Sequence, residues 1–378
     1  MGFVFELDTF SMMKELNSTM QGIKKDTRKV LIVATTFLCV DGLTSVLIHL
    51  ARIISEYCVV DFSLGAGADS QIVTALEEIG EVFFLPDRKT RTIKYMSALK
   101  RLVDRKRYDI VHIHGNSSTM AVDLIATRRI KVRIAHCHNC AKQNIIKQFV
   151  LGTMMNLFVT HPVACSRKAG EAIYSKPFTV IRNGIDTNRF VFRQDVREKV
   201  REQFGLNDAY VIGHIGRFNR QKNQDRLIGI LMEALQIRQD AVLMLCGKGE
   251  LENEFQEKAT QSGLMDHILL IGEVNDPEKY MMAMDVFVLP SLFEGLPLAG
   301  VEAQASGLPC VFSDGITKET AILSAVSFLS LEESNRKWAE VICCQAMNVR
   351  EKAASEICSA GYGLNIVHDQ ICDLYGIS

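Results

Sequence analysis

Four charged residues in the second half of the chain are spaced so that they can act together. Arg217 and Lys222 lie in the polar loop Gly216-Arg217-Phe218-Asn219-Arg220-Gln221-Lys222-Asn223, which leaves the apolar run Val211–Ile215 and leads into a helical pattern near Gln224. Glu294 and Glu302 stand eight residues apart after a second apolar run, Asp285–Pro290. Two cations beside a helix N-terminus suit an anionic group such as a diphosphate, on which negative charge builds as a bond to it breaks. A helix starting near Pro297, a favoured first-turn residue, puts Glu302 in its second turn and Glu294 in the loop before it. The amides from Gly295 to Leu298 would then point at bound phosphate or sugar. Each residue alone is an ordinary exposed charge. Their shared placement between buried strands and helices is what suggests chemistry.

The first half offers a different set. Asp41-Gly42-Leu43 forms a loop after the first apolar run, where Gly42 permits close backbone approach to a ligand. The strand Arg133-Ile134-Ala135-His136-Cys137-His138-Asn139 ends in a polar cluster. A zinc reading of His136, Cys137, His138 and Cys140 meets two objections: no second cysteine pair lies at ribbon spacing, and neighbouring strand residues face opposite sides. No metal and no cofactor are expected. His112 and His114 read as structural residues near a strand end, and Ser166 as a helix cap. Other chemistries lack their motifs. There is no Gly-x-Ser-x-Gly elbow and no Asp-x-Asp, and the nearest approach to a dinucleotide fingerprint, Gly65-Ala66-Gly67-Ala68-Asp69-Ser70, follows the second strand and has serine in the third glycine's place.

The elements that position these residues follow from periodicity. Short β-branched apolar runs at Lys29–Thr35, Cys58–Leu64, Val82–Leu85, Asp109–His114 and Val132–His136 alternate with helical patterns such as Thr44–Ser55 and Ile93–Arg105. The pattern returns at Tyr210–Ile215, Ala241–Cys246, Ile268–Ile271, Val286–Leu289 and Cys310–Phe312, with helices near Gln224–Leu235 and Glu252–Gln261. Such alternation predicts α/β architecture, two doubly wound Rossmann-like domains with parallel sheets covered on both faces. Turn-rich Ser175–Gly184 separates the two series. We therefore divide the chain into an extension (1–27), a first domain (28–178), a second domain (179–360) and a terminal helix (361–378) that packs on either one. Ligands of such sheets bind beyond the carboxyl ends of the strands, on the loops that carry the residues above.

Composition narrows the setting. The 378 residues carry a net charge of −1, yet residues 1–180 hold eight more basic than acidic residues and the rest nine more acidic than basic. A basic half suggests an anionic partner such as phosphate, acidic lipid or nucleic acid, or else the solvated face of a helix around Arg101, Arg105, Lys106 and Arg107; no nucleic acid is expected among the partners. Eleven scattered cysteines, several inside apolar runs, fit a reducing cytoplasm. Gln148–Ser166 carries no formal charge, but Gly152, Asn156, His161 and Pro162 break it, so a helix to about Phe158 and a short strand Pro162–Cys165 are expected in place of a membrane span.

From Lys29 to the end, the arrangement resembles retaining glycosyltransferases of the GT-B fold, family 4, in the branch of bacterial capsule and exopolysaccharide synthesis. The resemblance rests on Glu294 and Glu302 followed by Ala303-Gln304-Ala305-Ser306-Gly307-Leu308-Pro309, with Val180–Asp186, the Gly216–Asn223 loop, Gly247–Glu250, Gly272–Val274 and Asp285–Ser291 in support. It implies that Arg217 and Lys222 contact a donor diphosphate, Glu302 the ribose and Glu294 a hydroxyl of the transferred sugar. Val274 would lie beside the base, with UDP expected over GDP. Gly42 would approach the phosphate, although many relatives have two adjacent glycines where this chain has one. His138 would reach toward the reacting sugar. A metal-free, front-face substitution is implied, in which the leaving phosphate helps deprotonate a saccharide or polyprenyl-linked acceptor at the membrane's inner face. A sugar-nucleotide epimerase of the same architecture and a non-catalytic nucleotide-sugar-binding subunit are the alternatives.

Overall fold

The computed structural model describes residues 27–39, 41–138, 145–345 and 350–377, without the side chains of residues 145–148. Residues 1–26 of the extension, and Cys140, lie outside the described residues. A first sheet consists of β1 (Lys29–Ala34), β2 (Val59–Leu64), β3 (Val82–Phe84), β4 (Ile110–Gly115), β5 (Val132–Cys137), β6 (His161–Ala164) and β7 (Thr179–Val180). A second consists of β8 (Tyr210–Ile215), β9 (Ala241–Cys246), β10 (Ile268–Gly272), β11 (Val286–Leu289), β12 (Cys310–Ser313) and β13 (Val326–Leu329). The orders are β3-β2-β1-β4-β5-β6-β7 and β10-β9-β8-β11-β12-β13. Every pairing is parallel. Parallel neighbours require crossovers, and the helices that supply them bury both faces. That is why strands such as Val286–Leu289 are wholly apolar and wholly buried.

Each strand order reverses once, between β1 and β4 and between β8 and β11. Connections leave these strands in opposite directions, which opens a crevice at their carboxyl ends. Helix α1 (Gly42–Tyr57) follows β1, α2 (Asp225–Leu235) follows β8, and α3 (Leu298–Ala305) follows β11. Gly42 is not in a loop, as the sequence reading has it, but is the first residue of α1. Asp41 starts the helix early by accepting the Thr44 amide at 2.9 Å as its N-cap.

The first sheet continues past residue 178, because Thr179 and Val180 add β7 to its edge beside β6. The chain comes back to this sheet at its far end. Helix α4 (Leu364–Tyr375) lies against α1, with Tyr57 Oη 3.1 Å from His368 Nε2 and Tyr375 Oη 2.9 Å from His112 Nδ1. Val367, Ile371 and Tyr375 join Ile32, Leu47 and Leu50 in one apolar cluster. A second link is Glu319, whose carboxylate accepts the amides of Arg167 and Lys168 at 3.1 and 2.9 Å.

On the side of the second sheet away from the crevice, Asp285 anchors the helix Gln194–Gln203. Its carboxylate takes Arg197 at 2.6 Å, Arg201 at 3.2 Å and the Val211 amide at 2.7 Å. Arg350 reaches the same place through the carbonyls of Met281, Met282 and Ser306. Arg197, Arg201, Asp285 and Arg350 are all buried.

Candidate active site

The loops after β8 and β11 are laced into one unit. Leu292 N donates to Gln221 O at 2.8 Å, Asn223 Nδ2 to Pro290 O at 3.0 Å, and Gln221 Nε2 to Phe293 O at 3.0 Å. Asn223 holds this turn with φ +57°, a conformation that asparagine tolerates better than most residues. The lacing brings Lys222 Nζ to 2.7 Å from Glu294 Oε1, while Gln221 donates to Glu294 Oε2 at 3.0 Å. Glu294 is buried and is fixed further by its amide, which donates to Gly315 O at 3.2 Å. Lys222 runs past Gly216, where an added Cβ would stand 3.2 Å from the lysine Cε.

Arg217 points across the crevice. Its Nη1 donates to Cys39 Sγ at 3.0 Å and its Nε to Glu250 at 3.3 Å. Burial, then Asp41, pushes the Cys39 thiol up to about 11, so the sulfur stays a neutral S–H. The two halves also meet at Gly42 and Leu298. A Cβ on Gly42 would lie 3.3 Å from Leu298 Cδ1, so the first residue of α1 touches the first residue of α3. Two helix N-termini therefore converge on one end of the crevice, beside Arg217 and Lys222. The first-turn amides and the positive ends of two helix dipoles make this a place for an anion with more than one charge.

Glu302 lies in the second turn of α3, half-buried. Burial raises its carboxyl from the ordinary 4.5 to about 7; nearby Arg189 and Lys222 oppose the rise and Glu278 adds to it. Between these two values the folded chain keeps a proton that the unfolded chain has released. Stability therefore falls as pH rises through that window, by roughly 3 kcal/mol in total. Glu302→Gln is expected to raise the melting temperature at pH 8 and to leave it unchanged at pH 4.5, which scanning calorimetry at the two pH values checks. Equal shifts at both would refute the buried-acid account.

Val274 is half-buried two residues beyond β10, next to Asn275, whose carbonyl accepts Arg189 Nη2 at 3.2 Å. Arg189 also pairs with Glu278 at 2.9 Å. This arginine was not singled out by sequence reasoning, since it lies on the connection between the sheets and no local pattern marks it. Gln221 was missed as well, although it sits between the two residues of the loop that were singled out. Gly295 is buried between Glu294 and Leu296.

His138 is held by partners of its own. It follows β5, is buried, and bonds His114 Nδ1 through Nε2 at 2.9 Å and Asn183 Oδ1 through Nδ1 at 3.2 Å. Burial lowers its imidazole to about 4, against a small rise from Asn183, so it is neutral at working pH. Thus the structure joins Lys222 to Glu294 directly, Gly42 to Leu298, and Arg217 to the opposite loop. His138 belongs to a column of histidines in the first sheet, with His112, His114 and His136.

Comparison with known proteins yields two adjoining matches. The model for group 1 glycosyl transferases fits residues 196–337, and the model for glycosyltransferase family 4 fits residues 48–189. EpsF of Bacillus subtilis, a glycosyltransferase by name, is 29% identical over 319 residues, covering 79% of this chain and 83% of its own. The Escherichia coli UDP-Gal:alpha-D-GlcNAc-diphosphoundecaprenol alpha-1,3-galactosyltransferase is 31% identical over 280 residues, 67% of this chain and 71% of that one. Among solved structures, Anabaena Alr3699/HepE with UDP and glucose superposes with a TM-score of 0.77 over 92% of this chain and 99% of its own, at 20% identity. That likeness is one of fold.

Proposed function

We propose, for a chain that belongs to the group 1, family 4 glycosyltransferases of polysaccharide synthesis, that it moves a hexose or N-acetylhexosamine from a UDP-sugar to a saccharide or lipid-linked saccharide with retention and without a catalytic metal. The observation that carries this reading is the convergence of the α1 and α3 N-termini beside Arg217 and the Lys222–Glu294 pair. A diphosphate seated there takes the two helix dipoles, Arg217 and Lys222, so the charge released on the leaving group is met by groups already in place. Glu302, once deprotonated, accepts from the ribose diol, and Val274 packs on the base. Glu294, released from Lys222 as the phosphate takes that cation, accepts from a hydroxyl of the sugar. His138 is neutral and bonded at both ring nitrogens, so it orients and does not take the acceptor's proton; that falls to the leaving phosphate on the same face. UDP is favoured because the E. coli relative is named for UDP-Gal and the Anabaena structures were solved with UDP or UDP-glucose.

The test is a panel of UDP- and GDP-sugars, read by thermal shift and by slow donor hydrolysis, with product anomers assigned by NMR in the presence of EDTA. UDP-sugars are expected to stabilise the protein and to give α-linked product from α-linked donor. Inverted product, or activity abolished by EDTA and restored by Mg2+, would overturn the mechanism.

The acceptor side extends the proposal to a membrane surface. No helix of the described residues is long and apolar enough to cross a bilayer. The helix Ile145–Phe158 nevertheless exposes Phe149, Val150, Met154 and Leu157, on the half of the chain with excess basic charge. Apolar side chains beside basic ones favour peripheral binding to anionic lipid. Flotation with phosphatidylglycerol vesicles is expected to carry the wild type, and Phe149→Ser with Leu157→Ser to stay in the soluble fraction. A wild type that stays soluble would remove the membrane from the account.

A further inference from the structure

We propose that His112, His114 and His136 form a binding site for one late first-row transition-metal ion of the zinc class, buried beneath α1 and α4 within the carboxyl halves of β4 and β5. The site follows from register. His112 and His114 are two apart on β4 and so share a face; β4 and β5 pair with His114 opposite His136, which places the third ring beside them. His138, two further along, completes the column: ring centres lie 4.2 Å apart for His112 and His114, 5.4 Å for His114 and His136, and 4.1 Å for His136 and His138.

Hydrogen bonding separates three ligands from one supporter. His138 Nδ1 faces the Asn183 carbonyl oxygen and therefore carries a proton, which leaves Nε2 as an acceptor. His114 must then donate to it from Nδ1, and its own Nε2 is left with a lone pair. His112 Nδ1 meets Tyr375 Oη at 2.9 Å, which can accept the Nδ1 proton that metal on Nε2 requires. One ring nitrogen of His136 has the Ile181 backbone as its hydrogen-bond partner, which leaves the other without one among the described residues. His112 Nε2 and His114 Nε2 likewise have no partner there, and all three side chains are at most 1% exposed.

Buried polar atoms without partners cost about 1–3 kcal/mol each and are rare, so several in one place call for a missing partner. One ligand atom from each ring lies within 4.8 Å of the others. A point between them is then at most about 2.8 Å from each, and rotations of under ~1 Å would bring the nitrogens to a zinc–imidazole distance of about 2.0–2.1 Å. A set of imidazoles with no carboxylate suits zinc, copper, nickel or iron and not magnesium or calcium. Tyr375 and His138 hold the far nitrogens of two ligands, the arrangement by which outer groups fix ring orientation at metal centres. The inference does not depend on the donor reading.

The test uses the full chain, stripped with chelator, dialysed, and loaded with ZnCl2 or CoCl2 alone. Wild type is expected to keep one ion per chain through gel filtration, by elemental mass spectrometry, and to show the strong visible bands of low-coordinate Co2+, which Zn2+ abolishes. His136→Gln is expected to lose the ion, and His161→Gln, at the exposed start of β6, to keep it. Should His136→Gln fail to fold, Tyr375→Phe decides: it leaves the three rings in place and is expected to weaken the ion about 10–100-fold. Retention of well under one ion by wild type, only the weak bands of octahedral Co2+, full binding by folded His136→Gln, or unchanged affinity in Tyr375→Phe would each overturn the proposal.

Discussion

Replacing Lys222 by alanine is expected to lower kcat/KM for sugar transfer by about 10²–10³-fold, near 3–4 kcal/mol of lost stabilisation. Two effects add. The cation nearest the leaving diphosphate disappears, and Glu294, 8% exposed and 2.7 Å from that cation, becomes a buried carboxylate facing the incoming phosphate. Because charge on the leaving group grows toward the transition state, most of the loss should fall on kcat. Arginine should not restore activity, since a planar guanidinium does not reproduce the compact ammonium that sits 2.7 Å from Glu294 Oε1. Steady-state kinetics on the three proteins, with donor affinity measured separately, checks this. A loss below about tenfold, or rescue by Lys222→Arg, would remove Lys222 from the reaction.

The largest effect on stability should come from a residue far from the crevice. Asp285→Ala is expected to cost about 3–5 kcal/mol, because it leaves buried guanidiniums without their carboxylate. Arg197 and Arg201 lose their bonds of 2.6 and 3.2 Å, and Arg350, whose burial, with Arg197 beside it, already lowers it to about 9, loses the nearby negative charge that opposes this. Urea titration should show a lower midpoint at an unchanged slope, while donor affinity of the folded variant stays close to wild type. A change below about 1 kcal/mol would mean that water or the carbonyls of Met282 to Met284 already satisfy these arginines.

What the sequence made legible follows a physical division. Central strands read clearly because burial on both faces demands an unbroken apolar run, as in Val286–Leu289 and Ala241–Cys246. The edge strands β7 and β13 did not. Thr179–Val180 is two residues long, and Val326–Leu329 is only half-buried, so neither carries that signature. Loop residues close in sequence to a strand end, such as Arg217, Lys222 and Glu294, could be placed above the crevice from the strand alone. Their pairing could not: that Lys222 chooses Glu294, and Arg217 reaches Cys39, depends on distances between segments 72 and 178 residues apart. The histidines show the same limit. Each His-x-His pair announces one strand face, but the column they build depends on the register between β4 and β5 and on a tyrosine 263 residues away.

That last separation has a consequence in time. A ribosome makes β4 long before it makes α4, and the intervening chain includes all of the second sheet. Until α4 arrives, one face of the first sheet, with Ile32, Leu47 and Leu50, lacks part of its cover. The half most exposed to the cell during synthesis is thus the last to be finished, and its apolar surface is open to chaperones or to neighbouring nascent chains for that whole interval. Deleting α4 should therefore harm the first-made half more than the half that immediately precedes the cut.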